Sequence, residues 1–119
     1  MGLDQVATTG EAISTAQRTG ISPFNILAAD TSGDIAWTLA GRLPKRGAVP
    51  TERVVPWQQV EDTWLGWLEP ENYPEVKVGG ADEGRSYLWT ANNRIVGGDT
   101  LAKIGFGQYE LGARGWLIE

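Results

Sequence analysis

Cysteine and histidine are both absent from the 119-residue chain. Without cysteine there is no disulfide and no thiolate to hold a metal, and the redox compartment stays open. Without histidine, neither a Ser-His-Asp nor a Cys-His hydrolytic site can be assembled from these residues alone. Positive charge is scarce too: Lys and Arg number 10 against 15 Asp and Glu, a net charge of −5 with the two signs interspersed. Phosphate binding needs a clustered basic surface, so no nucleic acid partner is expected. No apolar run approaches the roughly 20 residues that cross a bilayer, so no membrane partner is expected either. The first four residues, Met1 to Asp4, carry neither a basic nor an apolar signal region, so no secretory leader is expected there.

In excess are glycine (16), proline (6) and tryptophan (6). Glycine and proline demand many turns. The tryptophans read either as large rings filling the core of a small β-rich domain or as the lining of a ligand cleft. Residues 1–119 are expected to form a single domain, long enough for one core without covalent staples.

Thr8, followed three residues later by Glu11, makes a capping-box pattern. Ala12, Ile13 and Ala16 continue it as a narrow apolar stripe, and Gly20 is the expected left-handed stop. So small an apolar face must dock on something to persist. A hairpin is predicted next, with strands over 25–29 and 35–39 joined by the turn Asp30-Thr31-Ser32-Gly33-Asp34. There Gly33 supplies a positive φ and Asp30 bonds turn amides. Pro44 ends the return strand. Five of the six prolines fall between residues 44 and 82, together with Trp57, Trp64 and Trp67. That density predicts an extended, aromatic-anchored excursion with at most a turn of helix near 58–63. Residues 85–91 alternate as a strand, a glycine-rich loop (Gly97, Gly98) follows, and 109–118 has a broken helical pattern that stops at Glu119 without a cap.

Three segments, in order along the chain, stand out. The first is Ala29-Asp30-Thr31-Ser32-Gly33-Asp34-Ile35-Ala36-Trp37, continuing through Gly41-Arg42-Leu43-Pro44-Lys45-Arg46. The second is Trp64-Leu65-Gly66-Trp67-Leu68, with Pro74 beyond it; the third is Trp89-Thr90-Ala91-Asn92-Asn93-Arg94. Together they resemble the penicillin acylase family of N-terminal-nucleophile hydrolases; the resemblance covers roughly residues 3–118 and implies an internal piece of the β-chain region of a larger αββα enzyme. Within that piece we expect an α+β fold, a small antiparallel sheet or β-roll from the hairpin and the 85–91 strand, with a helix at each end.

The resemblance also implies a chemistry. Family members cleave an acyl amide with the hydroxyl and α-amino group of one N-terminal serine freed by autoproteolysis, so neither histidine nor any cofactor is required. Asn92 matches the asparagine that holds the oxyanion, a kind of donor worth roughly 2.7–4 kcal/mol of barrier. Arg114, twenty-two residues on, matches the arginine that orients it. Asn93, Trp64 and Trp67 are weaker substrate-contact candidates. Asn93 reads more naturally as a brace for its loop, and the two tryptophans as anchors. None of Ser14, Ser22, Ser32 or Ser86 lies in the nucleophile's context. The implied partners are therefore the remainder of the acylase (its α chain and nucleophile-bearing segment) and a small acyl-amide substrate, such as a β-lactam side chain or an acyl-homoserine lactone. Alone, the segment is expected to be inactive. The family's acidic calcium position falls on Lys103, so no metal site is expected within these residues. The family is often periplasmic or secreted.

Duller readings stand beside these. Asp30 and Asp34 around Gly33 lack the EF-hand register and read as turn chemistry. Glu61 and Asp62, adjacent on an irregular stretch, read as solvated rather than as an acid/base pair. A non-enzymatic Trp-rich β module for carbohydrate or peptide is the rival function, although a propeller would repeat its hairpin. Apolar surfaces meant for missing partners also predict self-association of the isolated segment.

Overall fold

The computed structural model describes residues 2–47, 56–59, 64–79, 87–105 and 109–118. After a 3-10 turn at Leu3–Gln5, helix α1 runs over Thr9–Gln17. Its start is the expected capping box: Thr8 Oγ1 accepts from the Glu11 N–H at 3.2 Å, while the Glu11 carboxylate accepts from the N–H groups of Ala7 and Thr8. Its end differs from expectation. Arg18 is the C-cap, and Gly20 does not take a left-handed conformation. The Thr19 hydroxyl donates instead to the Ala16 carbonyl at 2.7 Å, so a side chain does the work predicted for glycine.

The hairpin pairs β1 (Phe24–Ala29) with β2 (Ile35–Ala40) antiparallel, from Phe24 opposite Ala40 to Ala29 opposite Ile35. Its turn closes through Asp30 N–H to the Asp34 carbonyl and Gly33 N–H to the Asp30 carbonyl, with Gly33 at φ +90°. Asp30 reaches further than a turn residue need. Its Oδ1 accepts from the Ser32 backbone and hydroxyl, and its Oδ2 from the Thr9 N–H at 2.9 Å and the Thr9 hydroxyl. The hairpin turn thereby satisfies a free donor in the first turn of α1, a carboxylate where the helix field favours negative charge.

The third strand departs from the sequence reading. It is β3 (Glu75–Val78), inside the proline-rich stretch, paired antiparallel to β2 from Ile35–Val78 to Thr38–Glu75. Four residues on a sheet edge immediately after Pro74 are compatible with proline density that forbids a longer strand. Residues 87–90, by contrast, form no strand, and 85–86 lie outside the described residues. There the backbone is served by side chains: the Ala91 N–H donates to Asn93 Oδ1, and the Ala91 carbonyl accepts from Arg114. The rest of the excursion holds 3-10 turns at Trp57–Gln59 and Pro70–Asn72 and an isolated bridge from Pro44 to Trp67. Glu61, Asp62 and most of the turn expected near 58–63 fall outside the described residues. Downstream, α2 occupies Gly98–Ile104, starting at the second glycine of the predicted loop, and α3 only Ala113–Trp116 of the longer predicted helix. The fold is α+β, a three-stranded antiparallel sheet with flanking helices.

Alternation gives the sheet two distinct faces. Ala36, Thr38 and Ala40 are buried on the side that carries Ile13, Ala16 and Gln17 of α1. Thr38 is fully buried; its hydroxyl donates to the Pro74 carbonyl at 2.8 Å and accepts from Gln17 Nε2 at 3.1 Å. One side chain thus joins the helix, the central strand and the lead-in to the edge strand. Trp37, Leu39 and Asn25 point the other way. Of the six tryptophans, Trp37 is the one that fills core at 3% exposure, while Trp57, Trp64, Trp67 and Trp116 are all exposed.

Two predictions test this frame. Thr38→Val strands the Pro74 carbonyl and should cost about 1–3 kcal/mol, read as a lower denaturant midpoint at unchanged slope. Asp30 is held down to about 2 by the Ser32 hydroxyl first and then the Thr9 N–H, from an ordinary 3.8. A depressed carboxyl stabilises the fold above its unfolded value and loses that contribution as pH falls through its folded value. The stability gap between wild type and Asp30→Asn should therefore be full above about pH 4 and close towards about pH 2. A gap that stays constant across that window contradicts the role.

Candidate active site

The second sheet face looks onto a hollow of about 230 Å³. The hairpin region lines it with Pro23, Phe24, Asn25, Trp37 and Leu39, and the later segment with Asn92, Asn93, Ile95, Val96, Ile104 and Tyr109. The wall is chiefly apolar with a few amide groups, the usual make-up of a small-molecule site.

Asn92 is exposed at the rim of this hollow and is the single described non-glycine residue at positive φ, +61°. Asparagine tolerates that left-handed conformation better than most residues, and such outliers concentrate at functional sites. The turn is held from several directions. Asn93 Oδ1 accepts from the Ala91 N–H at 3.0 Å, its Nδ2 lies 3.4 Å from the Arg94 carbonyl, and the Asn92 carbonyl accepts from the Glu110 N–H at 3.0 Å. Asn93 is thus engaged with its own loop.

Arg114 completes the arrangement. One terminal nitrogen, Nη2, donates to both the Ala91 carbonyl and Asn92 Oδ1, each at 3.1 Å. A guanidinium has donors only, so the oxygen of the Asn92 amide must face it. The amide NH2 is then left as a donor, with no acceptor among the described residues. Asn92, Asn93 and Arg114 are therefore brought together. Gly115 explains how closely the C-terminal segment docks: a Cβ there would stand 2.7 Å from Cη2 of Trp89.

Trp64 and Trp67 lie apart, outside the walls of the hollow. They contact each other edge to face at 4.9 Å between centroids, and the Arg42 guanidinium stands 5.7 Å from the Trp67 ring. With Trp67 bridged to Pro44, their observed contacts are those of an anchored excursion. Lys103 sits exposed on α2. The sequence reading missed Asn25, Leu39 and Tyr109 as wall residues. For Asn25 a signal was visible, a lone polar side chain opening an apolar strand. Burial raises the Tyr109 hydroxyl above its ordinary value, opposed by the positive charge of Arg94, so this wall residue stays neutral at physiological pH.

Comparison with known proteins agrees with the motifs. A family model described as penicillin amidase matches residues 1–119. Over 80 residues the chain is 32% identical to the penicillin acylase 2 proenzyme of Pseudomonas sp. (strain SE83), covering 67% of this chain and 10% of that protein. The chain thus spans about a tenth of the length of the curated relative it matches. No solved structure matches it. By the family match along its whole length, supported by that relative, the chain belongs to the penicillin amidase family.

Proposed function

We propose that these residues supply the oxyanion side of an N-terminal-nucleophile amidohydrolase that cleaves an acyl amide. The observation that carries the reading is the Arg114–Asn92 contact, which turns the Asn92 amide NH2 outward beside an apolar hollow. When a nucleophile adds to an amide carbonyl, negative charge develops on the carbonyl oxygen. A fixed N–H donor stabilises that charge without reorganising at the moment of reaction. Arg114 acts through Asn92 as a positioning residue, and its positive charge also polarises the amide towards donation.

The attacking hydroxyl and its base, the α-amino group of an N-terminal serine, come on this reading from acylase sequence beyond these 119 residues. The acyl group of the substrate occupies the hollow, with the scissile carbonyl at the Asn92 rim. Penicillin-type side-chain amides are the substrates that the relative's name favours. Leu111, Trp116 and Leu117, between 76% and 88% exposed, offer apolar surface for the remainder of the enzyme to cover. The same surface favours self-association of the segment by itself.

In the full-length acylase, Asn92→Ala should lower kcat by about 10²–10³ with the fold retained. Hydrolysis of a chromogenic acyl amide under saturating substrate measures it, and near wild-type turnover would remove Asn92 from the site. The 119 residues alone should release no product.

A further inference from the structure

Asn25 repeats, on the hairpin's part of the hollow's lining, the arrangement found at Asn92. It is the second residue of strand β1 and pairs with Leu39, and Trp37 lies diagonally across from it on the same sheet face. The buried indole Nε1–H of Trp37 donates to Asn25 Oδ1 at 2.8 Å. An indole nitrogen, like a guanidinium, can only donate. Chemistry therefore fixes which end of the Asn25 amide faces Trp37, and the NH2 must point away from it. No described residue accepts from that NH2. Nor is it sealed in the interior, since the one buried side-chain polar atom without a partner among the described residues is the Thr90 hydroxyl. The space that Asn25 borders is the hollow it shares with Asn92.

The Asn93 amide is spent on its own loop, and the Trp37 indole N–H on Asn25. Two asparagines on separate segments thus line one apolar hollow, each with its amide oxygen held by an obligate donor and its NH2 left to donate. We infer that Asn25 is a specificity-determining residue of the proposed acyl-amide site. Its NH2 binds an uncharged acceptor oxygen, an ether or carbonyl, carried on the substrate's acyl group away from the scissile bond. The inference rests on the reading of Asn92 as oxyanion donor, because that reading places the acyl group in the hollow. A site built to hydrogen-bond an oxygen discriminates against the analogue lacking it far more strongly than an apolar wall does.

The test compares two amides in the full-length acylase, one with an ether oxygen in the acyl chain and one with CH2 in its place. Asn25→Asp is the chosen variant, since a carboxylate still accepts from Trp37 Nε1 but has no N–H to offer. Asn25→Leu is the second, removing both functions. The ratio of kcat/KM for the ether over the hydrocarbon substrate should fall about tenfold in either variant, the loss of one neutral hydrogen bond. An unchanged ratio in Asn25→Asp, while Asn92→Ala still lowers turnover of both substrates by about 10²–10³, overturns the role of Asn25 and leaves the oxyanion reading standing. Full turnover in Asn92→Ala would instead remove the common foundation of both.

Discussion

The contact between Arg114 and Asn92 decides what this surface can do. An asparagine amide is ambivalent, with an acceptor at one end and a donor at the other, and a free rotor presents either. The guanidinium removes the ambiguity, since it can meet only the oxygen. Its second bond, to the Ala91 carbonyl, ties the same arginine to the backbone one residue earlier. Residues 91 and 92 are thus held by main chain and side chain together. The Glu110 N–H on the Asn92 carbonyl and the close approach of Gly115 to Trp89 keep the C-terminal segment near enough for that grip. Remove the arginine, and the amide's orientation loses its support.

The sheet supplies the fixed wall against which that rim is placed. Its α1 face is closed by Thr38, Gln17 and the small side chains of the helix, and Asp30 couples the hairpin turn to the helix start. With that face occupied, the alternation of β1 and β2 leaves Asn25, Trp37 and Leu39 for the other. The ring of Trp37 is buried while its N–H sets the Asn25 amide. Two asparagines in one hollow owe their direction to two obligate donors on separate elements. Such a pair depends on tertiary structure as a whole rather than on any short motif.

What could be read from the residues was what local chemistry determines. The capping box at Thr8 and Glu11 and the Asp30–Asp34 turn involve partners within a few positions, and both formed as expected. The strand over 85–91 was misread because alternation records which side chains suit a pleated surface, not whether a neighbouring strand is there to pair. Arg114 and Asn93 take up the Ala91 backbone groups instead. Strand β3 was hidden for the converse reason: prolines around it forbid length, yet four residues suffice at an edge. Asn92 and Arg114 entered through a family resemblance, twenty-two residues apart, with no periodicity to join them. Asn25 was visible as a polar residue in an apolar strand, but its partner Trp37 lies twelve positions on, and only the hairpin register makes them neighbours.

The central claim is geometric, and a crystal structure of the full-length acylase with a tetrahedral transition-state analogue bound tests it most directly. The account predicts Asn92 Nδ2 about 2.7–3.1 Å from the analogue's oxyanion, with Oδ1 still on Arg114. An amide turned the other way, or an oxyanion held wholly by groups on the far side of the cleft, would contradict it.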